Sequence, residues 1–247
     1  MKFILLGTGP GLPNLTQNQS GLYVGVNGKN LLFDCGEGTS QQLLKHDLAG
    51  ETLDAVFISH YHPDHVSGLF MVLQMLYLQG RQKPLQIFLP ERPAFMMEIL
   101  QFLYTFPPRF AYPIQILDCH EAELYHEEVS SALSDHLRGY TEFITANQLP
   151  NPMNSYSFRI ASEAGDLVYT SDLGTMDSIM NLVRDCHTVI ADAIHPEAGQ
   201  VLKLQYAGVK RILLNHGISP ELERALAENP LPLFEFAHEG QIYSLEQ

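Results

Sequence analysis

The chain has 247 residues, 45% hydrophobic and 17% charged, which is enough apolar material for a substantial core and a length within the range of one α/β domain. Its 28 acidic against 14 basic residues give a formal net charge of −14, which repels extended polyanions, RNA and DNA alike, unless local cations supply the attraction. No apolar run approaches a membrane span, residues 2–6 are too short for a signal-peptide core, and three cysteines without metal-ligand spacing, Cys35, Cys119 and Cys186, suit a reducing cytoplasm.

Short apolar runs bounded by turn residues alternate along the chain with segments of helical period. The pattern predicts strands near 2–6, 20–26, 29–34, 54–59, 85–89, 114–118, 129–134, 155–160, 167–171, 188–191 and 209–214. Helices are predicted over 39–48, 66–79, 92–104, 175–185, 197–207 and 220–228. Thr39 and Gln42 have the spacing of a capping box, and Ser219-Pro220 pairs an N-cap with a proline at the first helical position. Neither a long linker nor an internal repeat interrupts the alternation, so a single domain over residues 1–247 is expected. Stretches rich in Met, Phe and Tyr at 66–78 and 94–106 read as core-packing stripes, and the stiff aromatic segment 106–110 after the second as a cleft wall or a subunit contact. Gly7-Thr8-Gly9-Pro10-Gly11 lacks the spacing of a dinucleotide fingerprint and reads as a tight turn.

Residues 57–65 read Phe57-Ile58-Ser59-His60-Tyr61-His62-Pro63-Asp64-His65. Three imidazoles and a carboxylate crowded into six positions share one partly desolvated space, and a bound dication offsets that cost. The chain beyond the strand near 54–59 is still extended, so His60 and His62, two apart, point the same way. Asp64 and His65 lie past Pro63, where a helix begins, and face a different direction. One loop thus offers two ligands to each of two neighbouring metal sites. Further ligands are expected at other strand ends. Asp172, at the end of the strand from Leu167, has two oxygens with which to bridge two ions; His216 follows the strand near 209–214; His136 follows 129–134 and completes the first site. Asp34 is better placed to hold a ligand's second nitrogen than to touch metal.

Taken in order, Leu6-Gly7-Thr8-Gly9, Asp34, His60-x-His62-x-Asp64-His65, His136, Asp172 and His216 give a sequence that resembles the metallo-β-lactamase superfamily over nearly its whole length. Gly7-Thr8-Gly9-Pro10-Gly11 and Phe33-Asp34-Cys35-Gly36-Glu37-Gly38-Thr39 are written as in the ribonuclease Z and cyclic-phosphodiesterase branch. The resemblance implies a four-layer αββα sandwich, two mixed sheets flanked by helices, and a hydrolase with two divalent ions, zinc first, with manganese or iron as alternatives. It further implies that His60, His62 and His136 hold one ion and Asp64, His65 and His216 the other, with Asp172 between them. Asp64 would also orient the nucleophile, and a homodimer is implied.

Two departures from that branch bear on the substrate. Bacterial ribonuclease Z carries a long arm between the equivalents of His136 and Asp172 that grips transfer RNA, whereas here only residues 137–171 intervene, with no basic or glycine-rich arm. The branch's His-Glu-Ala-Thr motif is replaced by Ile190-Ala191-Asp192-Ala193-Ile194-His195, with Ala191 at the histidine, Asp192 at the acid and His195 three positions beyond it. Asp192 is expected to support the site, and His195 is the candidate for protonating the leaving group or holding a substrate phosphate. Both departures favour a small or cyclic phosphodiester over RNA. A hydrolase of a thioester, lactone or other carbonyl substrate, a ribonuclease Z-like endonuclease, iron-dependent oxygen or sulfur chemistry, and a metal-binding regulatory protein with little turnover stay open. Segment 137–153, with Tyr140, Phe143 and Pro150, reads as a lid or as a plain loop. His46, His120, His126, His187 and His238 lack motif context and read as surface or hydrogen-bonded side chains, His126 being the one rival to His136.

Overall fold

Alternating apolar residues build the first sheet, and the ends of its parallel strands place the first candidate residues. A computed structural model describes residues 1–245. The chain divides into two units, and the first, Met1–Ala122 with the segment from His238, carries a seven-stranded sheet. Its strands are β1 (Lys2–Gly7), β2 (Gly21–Val26), β3 (Lys29–Phe33), β4 (Ala55–Phe57), β5 (Leu85–Leu89), β6 (Ile114–Asp118) and, from the far end of the chain, β13 (Ile242–Ser244), in the order β13-β1-β2-β3-β4-β5-β6. Pairing is antiparallel from β13 to β3 and parallel from β3 to β6. Phe33, Phe57 and Phe88 occupy one register position, and their rings stack at 4.8 and 4.5 Å. Their neighbours Leu32, Val56 and Ile87 point to the opposite face, as the period of two requires.

That second face is covered by helices. The unit contains α1 (Thr39–Lys45), α2 (Pro63–Val66), α3 (Gly68–Leu78) and α4 (Pro93–Phe102). Leu69, Val72, Leu73 and Leu76 of α3 pack with Leu32, Val56 and Ile87, together with Met96 and Leu100 of α4. Burying each such side chain stabilises the fold by roughly 1.5–3 kcal/mol. Segment 106–110 forms a short 3₁₀ turn, with Phe110 stacked between Tyr77 and Tyr112 at 5.0 and 5.2 Å.

The predicted helix over 66–79 starts earlier, as α2, and restarts at Gly68. The Gly68 amide donates to the Cys35 carbonyl at 2.8 Å, and a Cβ there would overlap the Gly36 carbonyl. In the same turn the Cys35 amide donates to the His65 carbonyl at 2.7 Å, and the Asp34 amide to the Phe57 carbonyl at 2.8 Å. The turn after β3 is thereby sewn to residues 57–68.

The second unit, Glu123–Ala237, holds a six-stranded sheet. β7 (Val129–Leu133), β8 (Tyr156–Ile160), β9 (Leu167–Tyr169), β10 (Thr188–Asp192), β11 (Arg211–Asn215) and β12 (Phe234–Phe236) lie in the order β12-β11-β10-β9-β8-β7. Strands β9 to β12 are parallel, and β8 runs against both β7 and β9. It follows that β7, β9, β10 and β11 all finish at one edge. Val168, Val189, Ala191, Ile212 and Leu214 form a core with Leu173, Met176, Val201, Leu204 and Leu222 from the connections between strands.

The observed α/β architecture, two mixed sheets with helices, is the one expected. Several local expectations need correction. Thr39 does not cap α1, because the N-cap is Gly38 at φ 90°, where any side chain would strike Asn18. Segment 175–185 is a 3₁₀ turn, Met176–Ile179, followed by the single turn α7 (Met180–Val183), and 197–207 is α8 (Ala198–Leu202) running into a 3₁₀ turn, Lys203–Tyr206. Segment 137–153 is largely helical, with a 3₁₀ turn at His136–Tyr140 and then α6 (Thr141–Ala146). Two short helical turns, Cys119–Glu121 and α5 (Ala122–Tyr125), and the edge strands β12 and β13 were not anticipated; each of these strands has three residues, mostly exposed, so no apolar alternation marks it. Ser219 does cap α9 (Pro220–Glu228), its hydroxyl accepting the Leu222 amide at 3.2 Å. Among the described residues no helix is long and apolar enough to cross a membrane.

Candidate functional site

In the first unit, β3 and β4 end side by side, and Asp34 leaves β3 in the left-handed region, φ 57°. Its buried carboxylate organises the loop after β4. Oδ1 accepts the Ser59 amide at 2.8 Å, while Oδ2 accepts the Ser59 hydroxyl at 3.0 Å and lies 2.8 Å from Nδ1 of His65. The Ser59 hydroxyl oxygen is in turn 2.9 Å from Nδ1 of His60.

These bonds assign the tautomers. Because the Ser59 proton goes to Asp34, the Ser59 oxygen accepts from Nδ1–H of His60, and Asp34 accepts from Nδ1–H of His65. Both rings therefore present Nε2 as a lone-pair donor. Nε2 of His60 lies 3.0 Å from Nδ1 of His62, and Nε2 of His65 lies 3.4 Å from Oδ2 of Asp64 and 3.4 Å from the Ser20 hydroxyl. Gly11 borders the group, since a Cβ on it would stand 3.4 Å from the Asp64 carboxylate.

In the second unit, four strand ends deliver His136, Asp172, Asp192 with His195, and His216. Oδ2 of Asp172 is 3.5 Å from Nε2 of His136, 3.4 Å from Nε2 of His216 and 3.6 Å from Nδ1 of His195. One buried carboxylate oxygen thus faces three imidazoles. Asp192 Oδ2 accepts the Leu173 amide at 2.9 Å and lies 3.0 Å from Nδ1 of His195, while its Oδ1 accepts the amides of Ile194 and His195 at 3.0 and 3.2 Å. The His195 ring stacks on His216 at 5.3 Å and meets His136 edge-on at 4.9 Å. With 40% of its side chain exposed, it is the accessible member of the group. Ser171, just before Asp172, and His216 itself are left-handed at φ 49° and 65°; such backbone strain in non-glycine residues clusters at functional positions.

The donor chemistry suits a divalent metal. Two ligands held about 2.0–2.1 Å from one tetrahedral ion stand roughly 3.4 Å apart. The spacings within each unit, His60 to His62, Asp64 to His65, and Asp172 to His136 and to His216, run from 3.0 to 3.5 Å. His, Asp and carboxylate-bridged donors accept zinc, manganese or iron(II). Among the described residues the groups of donors within ligand distance of one another contain no cysteine, and burial pushes the thiols of Cys35 and Cys119 well up and that of Cys186 to about 12.

Three of the other histidines have partners outside these groups. His126 is buried against Glu128 at 3.3 Å, His120 pairs with Asp118 at 2.7 Å, and His187 contacts the Thr188 hydroxyl at 2.9 Å. Tyr61, between two of the candidate ligands, donates its hydroxyl to the Glu91 carbonyl at 2.7 Å; burial raises its phenol well above the ordinary value, with Glu91 adding to the shift. Ser59 and Ser20 carry no distinguishing signal in the sequence, Ser59 as a common residue beside the histidine motif and Ser20 because it lies 45 positions from His65.

Comparison with known proteins identifies the family and the fold. The sequence model of a family described as anti-Pycsar protein Apyc1 matches residues 1–243. Ribonuclease Z of Methanosarcina mazei is 39% identical over 103 residues, which are 42% of this chain and 34% of that protein. The chain spans 28–49% of the length of this and the other curated relatives it first matches. Among solved structures, the metallo-β-lactamase fold protein YhfI from Bacillus subtilis aligns with a TM-score of 0.75 at 20% identity, covering 98% of each chain. Human tRNase Z, short form, aligns with a TM-score of 0.72 at 21% identity, covering 100% of each. At such identities the structures show a shared fold.

Proposed function

Because the chain belongs to the family of the anti-Pycsar protein Apyc1, within the ribonuclease Z and cyclic-phosphodiesterase branch of the metallo-β-lactamase superfamily, we propose that it is a metal-dependent hydrolase of a small or cyclic phosphodiester. The observation that carries this reading is the single oxygen of Asp172 set between His136 and His216. In our assignment His60, His62 and His136 hold one divalent ion, Asp64, His65 and His216 the other, and Asp172 is shared, with both units acting as one domain. Zinc is the first expectation, manganese or iron the alternatives.

When bound, two such ions supply an acidified water and a Lewis acid at the scissile phosphoryl oxygen. The protein's own groups do the rest. Asp34 fixes the tautomer and ring orientation of His65 directly and of His60 through Ser59. Asp64 orients the attacking water. Asp192 accepts from Nδ1–H of His195 and supports the ring as an imidazolium, whose Nε2–H goes to the departing alkoxide. An alkoxide needs that proton far more than a thiolate does, which favours an oxygen ester of phosphate over a thioester.

A second reading, RNA cleavage, draws on the name ribonuclease Z borne by the curated relatives. The net charge of −14 and the lack of a basic arm within 137–171 weigh against it. The decisive experiment assays the protein, with zinc or manganese added, on bis-p-nitrophenyl phosphate, cyclic mononucleotides, a thioester, a lactone and a transfer-RNA precursor. Turnover of small phosphodiesters well above the others is expected; preferential cleavage of the precursor or the thioester overturns the proposal.

A further inference from the structure

We infer that Asp135 is a positioning residue that, with Ser134, clasps the turn after Asp172 and thereby sets the separation of His136 from Asp172. The inference rests on the metal-dependent reading above and deepens it, because neither residue of the clasp is a metal ligand in that reading.

Two short segments interlock in the second unit. Oδ1 of Asp135 accepts the amides of Gly174 and Thr175, both at 2.9 Å, and Oδ2 accepts the Thr175 hydroxyl at 2.7 Å. From the preceding position, the Ser134 hydroxyl donates to the carbonyl of Asp172 at 3.2 Å, and the Ser134 amide donates to the Ser155 carbonyl at 2.7 Å, which anchors the clasp to the segment entering β8. Ser178 closes the far side, its hydroxyl donating to the Thr175 carbonyl at 2.7 Å. Residues 134–135 thus grip the turn from the Asp172 carbonyl through Thr175, immediately after the Asp172 side chain.

The grip acts on the candidate ligands because they are its immediate neighbours. His136 follows Asp135 and opens a 3₁₀ turn; Asp172 lies two positions before Gly174; their donor atoms stand 3.5 Å apart. Each segment is also tied to its own neighbours: the Leu173 amide donates to Asp192 at 2.9 Å and the Thr170 amide to the Ile190 carbonyl at 3.0 Å, while the Ser134 amide is held by Ser155. The strand β9 ends at Tyr169, Ser171 is in the left-handed region, and β7 ends at Leu133. Without the clasp the two strand ends would lose these direct bonds to each other, and an ångström of drift between them is enough to spoil a first coordination shell. Gly174 belongs to the device: a Cβ there would come within 3.0–3.2 Å of the Asp135 carboxylate atoms.

The test uses the full-length protein and Zn²⁺ or Mn²⁺ alone, with affinity from chelator competition, metal content per chain, and Tm of the metal-free form. Asp135→Ala is expected to weaken metal binding by about 10–100-fold. Asp135→Asn keeps an acceptor for the two amides and a donor for the Thr175 hydroxyl, so it should bind metal nearly as the parent does. Gly174→Ala, which removes no hydrogen-bonding group, should weaken binding while the metal-free Tm stays close to that of the parent. Parental affinity in both Asp135→Ala and Gly174→Ala, or a loss in Asp135→Asn as large as in Asp135→Ala, overturns the clasp while leaving the metal site standing. If the parent binds neither ion, the metal-dependent reading itself falls and the clasp with it.

Discussion

Oδ2 of Asp34 lies 2.8 Å from Nδ1 of His65, and both side chains are almost wholly buried. The same oxygen takes the Ser59 hydroxyl, whose oxygen meets His60. One carboxylate outside the proposed ligand set therefore orients a ring assigned to each ion. Asp34→Ala is expected to lower metal affinity by about 10–100-fold and to reduce occupancy at both positions, measured as metal per chain after dialysis. Full occupancy with two ions would show that the rings hold their orientation unaided.

His195 is expected to act after metal is bound. His195→Ala should lower kcat by about 10²–10⁴-fold on substrates with poor leaving groups, while the metal content stays that of the parent. A p-nitrophenolate leaving group needs little protonation, so the loss should shrink on p-nitrophenyl esters. If metal leaves together with activity, His195 is a ligand instead.

Arg81 is only 1% exposed and is held by carbonyls rather than by a carboxylate hydrogen bond. Nε donates to Lys83 at 2.7 Å, one terminal nitrogen to Gly50 at 2.6 Å, and the other to Leu53 and Pro84 at 2.6 and 2.9 Å. Its guanidinium also lies 5.5 Å from the centre of the Tyr112 ring. Arg81→Leu removes the donor from one buried and three partly buried carbonyls and should cost roughly 3 kcal/mol in urea unfolding, with the m-value unchanged. A change below about 1 kcal/mol would mean that water replaces the guanidinium.

His187 gives a pH dependence of known sign. Burial first, and then the charges of Lys210 and Arg211, hold its imidazole below the ordinary value of about 6.5. The folded state therefore binds its proton less readily than the unfolded chain does. Stability from this group is present above about pH 6.5 and is lost as the pH falls through the folded value. Substituting His187→Gln should flatten that part of the stability curve relative to the parent, read from denaturation midpoints between pH 5 and 7.5. A curve parallel to the parent's would assign the slope to other groups.

The histidine run could be read directly because its members are neighbours on one loop. Asp172, His136 and His216 were visible for a related reason, each following a short apolar run that had to be a strand. The clasp of Asp135 on Gly174 and Thr175 left no trace in the sequence, since its partners are some forty positions apart and of types common in any turn. The two edge strands were equally hidden, because an exposed edge does not need alternating apolar residues. Helices over 175–185 and 197–207 were foreseen too regular: their apolar spacing fits a helix, but packing into the second unit's core tightens part of each into a 3₁₀ turn.

By itself the sequence determined which donor atoms are grouped, imidazole nitrogen and carboxylate oxygen, with three cysteines outside any ligand spacing, and that the grouped donors fall where strands end. Which nitrogen each imidazole presents was decided only by the tertiary structure. A ring's tautomer is set by the partner of its other nitrogen, and for His65 that partner is Asp34, 31 positions away and brought alongside by the parallel pairing of β3 with β4.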